Sequence, residues 1–169
     1  MYFLARINDG LWALLPFILT VTLVLGGIAR WPLPDPVSIP PEFGLIAVFY
    51  WGVHRPGVLP LVLVFAIGLI QDLLGGDPIG LNVLIYLVAC AAIRANRDFF
   101  EDKPFVIEWV GFVLMAGIAA GVTWGVMSAL AGTLIVPAPA IARFVLDIAI
   151  YPIIAWIFSM IRRGMMTER

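Results

Sequence analysis

A chain of 169 residues that is 63% hydrophobic and only 12% charged lies well outside the range of soluble domains, which run about 45–50% apolar and about 25% charged. With a mean hydropathy of +1.07, the composition predicts an all-α integral membrane protein. The net charge of −1 carries no information about partners, because in a membrane protein the placement of charges outweighs their sum.

Proline is favoured at the first helical position and glycine just past the last, so these residues punctuate the chain. They predict six spans at Leu11–Ala29, Pro41–Val53, Pro56–Leu74, Pro78–Ile93, Pro104–Leu134 and Pro139–Met160, forming one transmembrane domain over residues 1–169. The first run is longer than a signal-peptide core, and Gly27-Ile-Ala29-Arg30 is a poor cleavage site, so it reads as a retained helix. The extended loop Trp31-Pro-Leu-Pro-Asp-Pro36 follows, because each residue before a proline is pushed out of the α region. The second and fourth runs fall short of the about 20 residues that cross a bilayer, and the fifth exceeds it; the second is also open to a re-entrant reading. Between the third and fourth, Gly75, Gly76, Asp77, Pro78 and Gly80 predict a tight reversal, with Gly75 as C-cap and Asp77 as N-cap.

Six spans with the N-terminus inside place Arg6, Arg55, Arg94, Arg97, Lys103, Arg162, Arg163 and Arg169 on the inner side. Only Arg30 and Arg143 stay outside, a split of eight to two among the ten basic residues. Cytoplasmic loops carry the excess of Lys and Arg, so both termini are expected in the cytoplasm.

Asp72, at the end of an apolar run, is the most informative residue. A carboxylate there costs about 2.5–3.5 kcal/mol on insertion scales and normally has a partner or a task. It reads either as an interior recognition or proton-handling group, or as a helix-end residue that reaches headgroup water or caps the following turn. Arg143 and Asp147, four apart, share a helix face and are spaced to pair; a sharper reading has Arg143 shared between Asp147 and Asp72. Glu108 is expected near Lys103 or Arg97 at the inner surface, His54 at an interface, and Arg94–Lys103 as a solvated loop. Gly117, Gly121 and Gly125 form a small-residue stripe that suits close helix packing, inside this protein or with another chain. Trp12, Trp31, Trp51, Trp109, Trp124 and Trp156 mostly fall near predicted interfaces, Pro152 is expected to kink the last helix, and Cys90 reads as a packing residue.

The sequence holds no phosphate loop, no His-Glu-x-x-His and no nucleophile elbow. One histidine and one cysteine exclude histidine-built or multi-cysteine metal sites and an internal disulfide, and three serines leave little for nucleophilic catalysis. The chain therefore reads as a non-enzyme without a cofactor.

Gly68, Leu69, Asp72, Gly76 and Gly80 match a Gly-Leu-x-x-Asp-x-x-x-Gly-x-x-x-Gly pattern, and with Tyr50-Trp51 and Arg55-Pro56 the chain resembles the bacterial MreD family of rod shape-determining proteins. The resemblance implies a non-catalytic inner-membrane scaffold of the cell-elongation machinery that binds MreC and helps organise peptidoglycan synthesis. MreB, RodA and a class B penicillin-binding transpeptidase would belong to the wider complex; neither nucleic acid nor a cofactor is implied, and a homodimer is compatible with it. The implied fold is similar to the six-helix substrate-binding subunits of ECF vitamin transporters. That supplies an alternative function, capture of a small molecule from the outer side. Against it, Ala13-Leu-Leu-Pro-Phe17 breaks the Ala-x-x-x-Ala surface by which those subunits dock. A channel or proton-coupled carrier rests only on Asp72 and Asp147.

Overall fold

The computed structural model describes residues 16–27, 40–55, 57–100 and 103–167, and these are helical apart from short connections. The helices are α1 (Pro16–Gly27), α2 (Phe43–His54), α3 (Leu61–Gly75), α4 (Leu81–Ala95), the single turn α5 (Arg97–Phe100), α6 (Phe105–Ala131) and α7 (Ala138–Thr167). Trp12, Trp31, the 31–36 loop, Arg6, Arg30, Pro56 and Arg169 lie outside the described residues, as do the outer parts of the predicted first span. Two helices, Phe105–Ala131 and Ala138–Arg163, are long and apolar enough to cross a membrane; α1, α2, α3 and α4 are apolar but shorter.

The architecture is two antiparallel hairpins, α3–α4 and α6–α7, set around α2, which packs on α4 and α7. A helix that is apolar all round belongs in a protein core or a membrane span, and every residue of α2 from Gly44 to Gly52 is buried. Twelve residues make α2 only about 18 Å long, so it is a core element, with Tyr50 and Trp51 among the most deeply buried side chains. Trp51 is thus not an interfacial residue. Phe49 takes edge-on contacts from Phe100, Phe112 and Tyr151, an arrangement favoured by the ring quadrupoles. Cys90 is buried in the same core.

Helix ends depart from the sequence expectation for local reasons. Gly80 has φ 96°, a left-handed conformation that a helix cannot hold, so α4 starts at Leu81 rather than Pro78. The left-handed residue that closes α3 is Gly76 (φ 80°), not Gly75. Pro60, not Pro56, heads α3, and Gly132 (φ 66°) stops α6 before Leu134. Arg162 and Arg163 lie within α7, which runs on past Met160. Pro152 lies inside the same helix.

The segment between α4 and α6 is not simply solvated. α5 folds Phe100 against Phe49, and Gly111 makes room for it, since a methyl there would lie 2.7 Å from the Phe100 ring.

Candidate functional site

Because α2 is short, its N-terminal end falls inside the protein, where a helix end without partners leaves backbone groups unsatisfied. The N-terminal end is tied to α7. The backbone N–H of Glu42, the residue that precedes α2, donates to Asp147 Oδ1 at 2.7 Å. Glu42 then turns its own carboxylate to two further elements. Tyr86 on α4 donates its hydroxyl to Glu42 Oε1 at 3.3 Å, and Arg143 Nη1 on α7 stands 3.7 Å from Glu42 Oε2. Glu42 and Asp147 are 4% and 3% exposed, so this is an internal ionic cluster and not a surface pair.

The ion pair of Arg143 thus falls on Glu42 and not on Asp147, the residue that four-residue spacing suggested. Both α7 residues face the same end of α2, one as an acceptor for its N–H and the other as a counter-charge. Asp72 lies elsewhere. Its Oδ2 accepts the Gly80 N–H at 2.7 Å and its Oδ1 the Asn82 N–H at 2.9 Å, so it caps α4 across the hairpin. Asp77, the expected N-cap, instead accepts from Asn82 Nδ2 at 3.0 Å. The idea of Arg143 shared between Asp147 and Asp72 is corrected accordingly: the two aspartates cap two different helices.

The remaining motif residues serve the same hairpin. A methyl on Gly68 would lie 2.6 Å from Val83 Cα and 2.8 Å from its amide nitrogen, so only glycine lets α3 and α4 approach this closely. Gly76 and Gly80 supply the two left-handed residues of the reversal. The stripe on α6 behaves differently. Gly117 would place a methyl in ordinary contact with Phe144 at 3.5 Å, whereas Gly121 and Gly125 have nothing within 4 Å. Close packing along that stripe is therefore confined to its first member.

At the other end of α2, His54 Nδ1 lies 3.1 Å from the Tyr50 carbonyl and Nε2 stands 3.6 Å from Glu108 Oε2. Glu108 Oε1 takes a short hydrogen bond from the Tyr151 hydroxyl. Glu108 is thus drawn inward to α2 and α7, away from its expected place with Lys103 or Arg97. Nearby, the buried Tyr50 hydroxyl, Trp51 Nε1 and Arg162 Nε have no hydrogen-bond partner among the described residues.

Two hollows flank this core. One, of about 320 Å³, lies over the N-terminal end of α2 and is walled by Glu42, Asp77, Arg143 and Asp147 together with an apolar stretch of α6. The other, of about 540 Å³, runs between α4, α5 and α6, with Phe49 at its floor. Its α6 side is the exposed ridge Val106, Val110, Leu114 and Ile118, at four-residue spacing. Among the described residues, no group of three His, Cys, Asp or Glu side chains is placed to hold a metal ion.

Residues 7–161 match the family model for rod shape-determining protein MreD. The chain belongs to that family. Comparisons with curated proteins and with solved structures return no match. Membership assigns the chain a part in determining rod shape, and the apolar helices accord with a membrane protein.

Sequence reasoning overlooked Glu42 and Tyr86. A usable signal existed for Glu42, an acid directly after Pro40-Pro41 and ahead of a long uncharged run, where an ionisable group normally has a partner. For Tyr86, nothing in the local pattern distinguishes it from other apolar positions of α4.

Proposed function

We propose that the chain is a non-catalytic scaffold of the bacterial inner membrane that holds the transmembrane helix of MreC and so helps organise peptidoglycan synthesis. The observation that carries this reading is the hollow between α4 and α6. Its lining is largely apolar, and its α6 side is the exposed ridge Val106, Val110, Leu114 and Ile118. Side-chain ridges of one helix seat in the grooves of another. Inside a bilayer such seating is driven by van der Waals packing, because lipid is as apolar as the helix.

In this reading the chain is one transmembrane domain over residues 1–169 with six spans, both termini cytoplasmic, in a fold similar to the ECF substrate-binding subunits. The short helices α1 to α4 would cross a locally thinned bilayer or lean on their longer neighbours. Asp72, Asp147 and Arg143 fix the internal arrangement and do no chemistry. RodA, a class B penicillin-binding transpeptidase and MreB join through MreC, and the open Gly121–Gly125 face is available to a second copy.

Mild-detergent purification from native membranes after in-cell crosslinking, followed by mass spectrometry, tests the assignment. Recovery of MreC with cell-wall synthases is expected. Recovery of ATP-binding cassette subunits in their place would overturn it.

A further inference from the structure

The walls of the cavity over α2 carry ionisable side chains in an otherwise largely apolar lining. Glu42, Asp77 and Asp147 bring three carboxylates to it, against the single guanidinium of Arg143. Asp147, only 3% exposed, spends Oδ1 on the Glu42 N–H, and no hydrogen bond to its other oxygen is found among the described residues. A carboxylate in an apolar surrounding is costly to ionise, and a cation beside it offsets that cost. The three carboxylates do not form a group placed to hold a metal ion. The rest of the wall is largely apolar, formed on the α6 side by Ala116, Ala119, Ala120 and Met127. About 320 Å³ is at the small end of ligand sites.

The cavity owes its existence to the fold. α6 has 27 residues and α2 only 12, so the α6–α7 hairpin continues beyond the end of α2. What remains above Glu42 is a chamber walled by helices and floored by an ionic cluster.

We propose that this cavity binds an organic ammonium group, a protonated amine carried on a small apolar body. Asp147 and Asp77 receive the ammonium, and the alanines of α6 line the apolar part. Arg143, on the same wall, is placed to meet an anionic group beside the amine, as in a zwitterionic headgroup. The source is either a soluble amine or the headgroup of phosphatidylethanolamine. This site goes beyond the scaffold reading and does not depend on it, since the hollow that would receive MreC lies between α4 and α6.

The test uses the purified full chain, with phenethylammonium and its uncharged analogue 2-phenylethanol as probes. Phenethylammonium is expected to raise the melting temperature in a saturable way, and 2-phenylethanol is not. Asp147→Asn keeps an oxygen for the Glu42 N–H but removes the charge, so it should weaken phenethylammonium binding at least tenfold. Ala120→Phe fills the cavity from its apolar side and should abolish binding, which keeps the test decisive if the Asp147 variant fails to fold.

Native mass spectrometry from nanodiscs containing phosphatidylethanolamine and phosphatidylglycerol separates the two sources. Retained phosphatidylethanolamine that phenethylammonium displaces identifies a headgroup site; saturable amine binding without retained lipid identifies a soluble amine. Equal effects of the charged and uncharged probes, unchanged affinity in either variant, or binding of neither amine nor phosphatidylethanolamine would overturn the proposal.

Discussion

The carboxylate of Asp147 accepts the backbone N–H of Glu42 at 2.7 Å, joining α7 to the start of α2 across 105 positions of sequence. A short helix that starts inside a protein needs an acceptor from another element, and α7 supplies it. Asp147→Ala leaves that N–H without a partner and should cost about 1–3 kcal/mol. Asp147→Asn retains an acceptor oxygen and should lose less than half of that. Equilibrium unfolding of both variants in a mixed-micelle titration provides the comparison.

Asp72 does for α4 what Asp147 does for α2, and within a single hairpin. Asp72→Ala removes the acceptor for two N–H groups and is expected to destabilise by about 2–4 kcal/mol. The double reversal Asp72→Arg with Arg143→Asp should rescue nothing, because Arg143 faces Glu42. Cell-shape complementation in a strain lacking the native copy reads this directly, and restored rods in the double variant would contradict the geometry.

Glycines in similar sequence settings should respond in opposite ways. Gly68→Ala drives a methyl into the Val83 backbone and should cost at least about 2 kcal/mol, with α3 and α4 forced apart. Gly121→Ala meets nothing within 4 Å and should be neutral or stabilising by about 0.5–1 kcal/mol, since alanine loses less freedom than glycine on forming a helix. Thermal unfolding in detergent, followed by circular dichroism, ranks the pair.

At the far end of α2, Tyr151→Phe deprives buried Glu108 of its hydroxyl donor. A loss of about 1–3 kcal/mol is expected, since hydrogen bonds to charged groups are the stronger ones. Glu108→Gln, which can still accept from Tyr151, should fall between that variant and the wild type. Protease susceptibility of the segment around α5 gives an independent readout, because Phe100 is held through Phe49 in the same aromatic cluster.

Features set by neighbours in the chain were legible before any coordinates. Proline and glycine stand near most of the helix ends, although α3 begins at Leu61 rather than Pro56 and α7 runs to Thr167 rather than Met160, and Gly68–Gly80 pointed to a tight reversal because left-handed turns require glycine. The errors arose where position along the chain and position in space diverge. Asp77 looked like the cap of α4 because it precedes Pro78, yet Gly80 delays the helix and Asp72 reaches the exposed N–H groups across the hairpin. Arg143 and Asp147 looked like an intrahelical pair because they are four apart, yet each has a partner at the end of α2. Glu42 could not be assigned a role until α7 and α4 were placed beside it.

The central claim, that the hollow between α4 and α6 receives a helix of MreC, is tested most directly by site-specific photocrosslinking in living cells. A crosslinker at Leu114 or Ile118, on the ridge beside the hollow, is compared with one at Ile153, exposed on α7. The account predicts adducts to the MreC transmembrane segment from Leu114 and Ile118 and none from Ile153. MreC captured from Ile153 but from neither ridge position would contradict it.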